Sequence, residues 1–165
     1  MTDNSLIMPA LVLLEEYDGD FQSYFEAVYS IFKRDFITSH PIWENKRFAM
    51  KKYPMEDGKE HTFYHITHQG DDEENRLPDM RRMERIAYPR IMIDNHSHPQ
   101  LKVWEKRINC SRRIHILHEE ERYLVVLDIR KDYFLLWTAY YIEHNHTLEK
   151  KLKEYELYIK SKNRT

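Results

Sequence analysis

The chain is 165 residues long, with 33% charged and 13% aromatic residues and a formal net charge of −2. That is the size of one domain able to bury a core, and twelve tyrosines, seven phenylalanines and three tryptophans exclude a disordered tail. Three glycines, with no GxGxxG or Walker pattern, exclude the Gly-rich phosphate loops of nucleotide enzymes.

The single cysteine, Cys110, can close no internal disulfide, which points to a reducing compartment. Charge is unevenly spread. The first 32 residues hold six acids and no Lys or Arg, whereas Arg76 to Arg113 holds ten Lys/Arg against four acids. A basic middle on a near-neutral chain predicts one positive face, suited to a phosphate backbone.

Residues 1–16 read as a loose lead-in or a short docking segment. The apolar run Leu6–Leu14 is too short to span a bilayer, has no basic flank and runs into Glu15-Glu16, so a cytoplasmic protein without membrane contact is expected. Asp18-Gly19-Asp20 offers a helix N-cap. Phe21, Tyr24, Phe25, Val28, Phe32 and Phe36 then recur at three- and four-residue steps, predicting an amphipathic helix with an aromatic stripe. His40-Pro41 ends it, and 41–60 read as irregular.

His61 to His68, HTFYHITH, reads as a short strand, and Gln69–Asn75 as a polar loop. Arg76–Arg85 carries a weak helical pattern, with Pro78 near its first turn and Pro89 closing the segment. Ile91-Met92-Ile93 fits a strand or a turn of helix. Leu101–Arg107 and Arg113–His118 read as strands, the latter with Ile114 and Ile116 on one side and Arg113 and His115 on the other.

Arg122 to Ile142, RYLVVLDIRKDYFLLWTAYYI, is the centre of the pattern. Two apolar β-branched and aromatic runs flank Arg130-Lys131-Asp132, which predicts a hairpin buried in a sheet. Strict alternation puts Thr138 on one face with Phe134, Leu136 and Tyr140. Leu148, Leu152, Tyr155 and Ile159 mark a C-terminal helix. The expected fold is α+β and a single domain. Helices pack on a central antiparallel sheet of about four strands, with a meander over 113–141, followed by the terminal helix.

His65 lies among Phe63, Tyr64 and Ile66, where a packed imidazole has a fixed orientation and a tunable proton; the local sequence by itself fits a core-edge histidine bonded to a carbonyl better. Arg82 and Arg85, three apart on a helix, would share a face and grip a phosphate, or form a solvated face with Glu84. Thr138 would place a hydroxyl on a rigid strand, or bond the main chain. Arg81, Lys102, Arg112 and Arg113 are candidate RNA contacts. His61-x3-His65-x2-His68 on a strand splits across two faces, a poor metal site, so no metal or other cofactor is expected.

The order of motifs resembles a known group. A strand with FYHIT, the segment RLPDMRRMERIAYPRI, a meander ending YLVVLDIRKDYFLLWTAYYI, and a Lys/Glu-rich helix are similar to the barnase–EndoU–colicin–RelE-like RNases, especially their phage- and mobile-element-borne branch. Thr138-Ala139-Tyr140 is the most specific match, and the likeness spans roughly Lys59 to Tyr158. The resemblance implies a metal-independent RNase, often a toxin with a cognate antitoxin or immunity protein. His65 would be its histidine, Arg82 or Arg85 its arginine and Thr138 its late hydroxyl; His61 competes with His65. Two other readings stand beside it. One is a non-enzymatic interaction module, docking through its aromatic helix and acidic N-terminus. The other is a histidine-dependent metallohydrolase.

Overall fold

Two apolar runs joined by three charged residues decide the architecture. In the computed structural model, which describes residues 4–70 and 75–164, they form the last two strands of a five-stranded sheet. The strands are β1 (Arg47–Ala49), β4 (Leu101–Ile108), β5 (Ser111–His118), β6 (Tyr123–Ile129) and β7 (Tyr133–Tyr141), in the order β1-β7-β6-β5-β4. β6 is buried along its whole length, as its apolar run, interrupted only by Asp128, requires. The hairpin closes where the Arg130 N–H donates to the Tyr133 carbonyl (2.9 Å).

The four long strands are antiparallel, as expected, but the sheet is mixed, because β1 runs parallel to β7 with Phe48 opposite Phe134. This strand comes from a stretch read as irregular. Three residues are too few to show a period, and Phe48 is held there by Phe36 and Phe134, at ring distances of 5.3 and 5.5 Å.

One sheet face carries most of the core. Helix α1 (Phe21–Lys33) lays Tyr24, Phe25, Val28 and Phe32 on it, and a π-helical turn, Arg34–Thr38, extends the stripe to Phe36 before His40-Pro41. The other face is covered by α5 (Asn145–Lys162), whose Leu148, Leu152, Tyr155 and Tyr158 rest on Trp104, Leu117, Leu124 and Ile142. The fold is thus α+β, and among the described residues no helix is long and apolar enough to cross a membrane.

Several local expectations are corrected. The N-terminal lead-in is docked from residue 4 onward, with residues 1–3 outside the described part. Leu6, Met8, Leu11 and Val12 pack on the core, and the Val12 carbonyl accepts from the Tyr24 hydroxyl (2.8 Å). His61–Thr67 is a helix, α2, not a strand. Its buried residues, Thr62, Phe63, Ile66 and Thr67, follow helical spacing. Phe63 fills the gap among Phe25, Tyr29 and Phe32 (ring distances 5.0–5.3 Å). The tertiary fit of that ring outweighs the β preference of Thr, Phe, Tyr and Ile.

After α2, His68–Gln69 (β2) pairs with Leu77–Pro78 (β3); residues 71–74 of the predicted polar loop lie outside the described part. The helix of the basic segment, α3, is short (Met80–Glu84), and Asp79 caps it by accepting the Arg82 N–H. Pro78 therefore precedes the cap. Pro89 opens α4 (Tyr88–Asp94) instead of closing the segment before it, and Ile91-Met92-Ile93 is helical.

A β-bulge corrects the hairpin. Leu127 pairs with Leu136 but Val126 pairs with Thr138, leaving Trp137 as the extra residue. Phe134, Leu136 and Ala139 therefore sit in the main core, while Tyr140 packs with Val126 under α5. Thr138 goes with Val126 and Tyr140, not with Phe134 and Leu136.

Candidate functional site

β1 covers only the first three residues of β7, and α2 lies along the strand beyond. Because Thr62, Phe63, Ile66 and Thr67 face inward, His61 and His65 fall together, one turn apart, on the other side of α2. Their rings lie 6.4 Å apart and nearly parallel, at 20°. They open onto a cleft of about 410 Å³ completed by Thr62, Arg76, Lys51, Met50, Leu135, Leu136 and Trp137. The bulge sets the far wall, for Trp137 is its extra residue and stands 42% exposed. The Arg113 guanidinium lies 4.0 Å from the centre of the indole, a cation–π contact that fixes the ring.

A second cleft, about 330 Å³, adjoins the first and shares His61 and Arg76 with it. Its other walls are Pro54, Met55, Glu56, Tyr64 and His68. His68 is half-buried, and its Nδ1 lies 2.9 Å from the Thr67 hydroxyl. Burial, and then the charges of Arg76 and Arg82, hold its pKa below the ordinary histidine value.

The structure separates the residues singled out from the sequence. His65 lines the first cleft. Arg82 does not: its Nη1 donates to the carbonyls of His65 (3.2 Å) and His68 (2.9 Å), and its Nε lies 3.2 Å from Asp79. Its fork thus closes the C-terminal end of α2, where carbonyls lack helical partners. The arginines that fall on one side here are Arg81, on α3, and Arg85, the residue just past its end, not Arg82 and Arg85. Both lie against Tyr141, at 4.8 and 4.5 Å. Thr138 neighbours Trp137 along β7, and neither it nor Arg85 lines the cleft.

Of the four candidate RNA contacts, Arg81 lies 4.0 Å from Glu143 and Lys102 bonds Glu119 (3.0 Å). Arg112 is held by Glu105 and by both oxygens of Glu44. These cations are largely compensated, and Arg113 is the one that reaches the cleft, through Trp137. Arg76, Lys51 and Trp137 were missed because no motif marks them. The pairing of His61 with His65 was legible in their four-residue spacing, had the segment been read as a helix.

A different polar group lies beneath α5. His115 is 5% exposed and stacks on Trp104 (5.1 Å, 18°). Burial, with Lys151 and Lys106 nearby, pushes its pKa down to about 4 against the pull of Glu154. Glu154 itself bonds Lys106 (3.1 Å) and lies 3.7 Å from Lys151. Among the described residues, no three His, Cys, Asp or Glu side chains converge as a metal-holding group.

No protein-family model matches the chain, and no curated protein or solved structure does so either.

Proposed function

We propose that the protein is a metal-independent endoribonuclease of the barnase–EndoU–colicin–RelE-like kind, acting at the cleft between α2 and the bulged edge of β7. The observation that carries the reading is the pair of parallel imidazoles, His61 and His65, facing one cleft with Arg76, Lys51 and an exposed Trp137. RNA carries its own nucleophile. One neutral imidazole takes the proton of the 2′-hydroxyl, and the 2′-oxygen attacks phosphorus. The bond to the 5′-oxygen breaks, and the second imidazole, protonated, gives its proton to that leaving oxygen. The products are a 2′,3′-cyclic phosphate and a free 5′-hydroxyl. Each nitrogen must come within about 3 Å of the oxygen it serves, so the phosphodiester would have to sit between the two rings, whose centres are 6.4 Å apart. Arg76 and Lys51 are placed to offset the charge that builds on phosphorus. In this scheme Arg82 is a positioning residue, because it holds the carbonyls of His65 and His68. A cognate antitoxin would be the natural protein partner.

The test is cleavage of a mixed RNA in excess EDTA by wild type, His61→Ala and His65→Ala. Cleavage that either substitution lowers by about 10²–10⁴-fold is the expected result. Intact RNA at high protein concentration overturns the reading, and activity that EDTA abolishes favours metal-dependent hydrolysis. A second reading, a module that binds RNA without cutting it, is favoured by the largely apolar lining of the cleft: Met50, Leu135, Leu136 and Trp137.

A further inference from the structure

β1 ends the sheet order, and among the described residues β7 is its one strand partner. The outer edge of Arg47–Ala49 therefore presents backbone N–H and C=O groups that no strand takes up, an edge to which an extended chain can add. Two recesses run beside it. One, about 610 Å³, is lined by Pro41, Ile42, Lys46 and Arg47, and the other, about 320 Å³, by Phe36, Ile37, Met50 and Lys52. His40 and Phe48 belong to both and divide them, with ring centres 6.3 Å apart.

The lining combines apolar and basic side chains. Ile42 is 69% exposed, and Ile37, Phe48 and Met50 are half-buried. No Asp or Glu among the described residues lines either recess. Lys46 donates to the Arg130 carbonyl (3.0 Å) and lies 3.7 Å from Glu44. Arg47, which rests on Tyr133 at 5.9 Å, and Lys52 are both exposed, and neither forms an ion pair among the described residues.

We propose that this groove docks an acidic, extended segment of a partner protein, which adds to the free edge of β1 as a further strand. Side chains on one face of a strand recur about every 7 Å. Apolar side chains of the segment would enter the two recesses on either side of the His40–Phe48 divide, and its carboxylates would meet Arg47 and Lys52. The other occupants fit less well. A second copy would set like charges against each other across the new strand pair. A polynucleotide has the charge, but no row of backbone N–H and C=O groups to pair with the edge. The inference does not rest on the ribonuclease reading, since Met50 is the one residue these recesses share with the His61–His65 cleft.

The probe is a fluorescent peptide of alternating aspartate and valine, titrated into the full chain at low salt and read by anisotropy. It should bind, and the same peptide with asparagine for aspartate should bind at least about tenfold more weakly. Arg47→Glu and Lys52→Glu should each weaken the aspartate peptide about tenfold or more, and added salt should weaken it further. Lys52→Glu leaves β1 itself untouched, so it carries the test if the strand change unsettles the sheet. Amide exchange should show slowed exchange within Arg47–Ala49 when the peptide is bound. Absence of peptide binding overturns the inference. So does binding that leaves the β1 amides unprotected or ignores both charge reversals. Sedimentation showing a dimer that Arg47→Glu dissolves assigns the edge to a second copy, and tighter binding there of a single-stranded oligonucleotide assigns it to nucleic acid; either result overturns the proposal.

Discussion

Replacing His115 by Phe should remove most of the acid sensitivity that this residue imposes on folding. In the unfolded chain a histidine takes up its proton as pH falls below about 6.5. In the folded chain His115 stays neutral until about 4, chiefly because it is buried under α5 against Trp104, with Lys151 and Lys106 adding repulsion. Between those values the unfolded state binds the extra proton, so stability falls as pH drops through the window. The gap from 6.5 to about 4, at about 1.4 kcal/mol per pH unit, amounts to about 3 kcal/mol. That is a large share of the 5–15 kcal/mol typical of a domain.

Urea unfolding of wild type and His115→Phe at pH 7.5 and pH 4.5 measures it. A planar apolar ring keeps the stack on Trp104. Wild type should lose about 2–3 kcal/mol more than the variant between the two pH values. Titration of carboxylates remote from His115 affects both proteins and cancels in the comparison, whereas Glu154, coupled to His115, enters the difference. If both proteins lose stability equally, His115 is protonated in the folded state or reached by water, and the account of its burial is wrong.

Arg82→Ala should cost about 2–3 kcal/mol in chemical unfolding, because the carbonyls of His65 and His68 and the Asp79 carboxylate lose a charged partner. Arg82→Lys should restore little of it, since a single ammonium cannot reproduce the fork. The cleavage rate of wild type should follow a bell-shaped pH profile, and His61→Ala and His65→Ala should each lose one limb. Asp128 is fully buried and bonded through one oxygen to Arg130 Nε and Nη2 (3.0 and 2.7 Å). Arg130→Ala should therefore cost about 3 kcal/mol by leaving the carboxylate uncompensated, a loss that urea unfolding reads directly. Phe63→Ala should cost about 3–5 kcal/mol and loosen α2, and with it the His61–His65 pair, as thermal unfolding and amide exchange would register.

The α+β class, the meander and both flanking helices were legible because their patterns are long. β6 and β7 together hold sixteen residues, all but Asp128 apolar, β-branched or aromatic, and the α1 stripe recurs through four turns. The candidate site was only partly legible. His65 was visible as a packed histidine, but its partners are four residues away on a helix, eleven residues further on (Arg76), and on a distant strand at Trp137. None of these spacings is a motif.

What the linear pattern determined is which residues must leave water. Alternation and three- to four-residue steps report that directly, since burial follows the geometry of one element. Short elements escape this logic. In HTFYHIT, residue preference argues for a strand, while the fit of Phe63 among three aromatic rings selects a helix. A single extra residue in β7 turns Thr138 to the other face and stands Trp137 at the edge. Whether a guanidinium is spent also depends on contacts far along the chain: Arg112 meets Glu44, 68 residues away, whereas Arg113 meets Trp137. Those choices are made by side chains meeting in space, at energies comparable to the local preferences they override, so only the tertiary structure decides them.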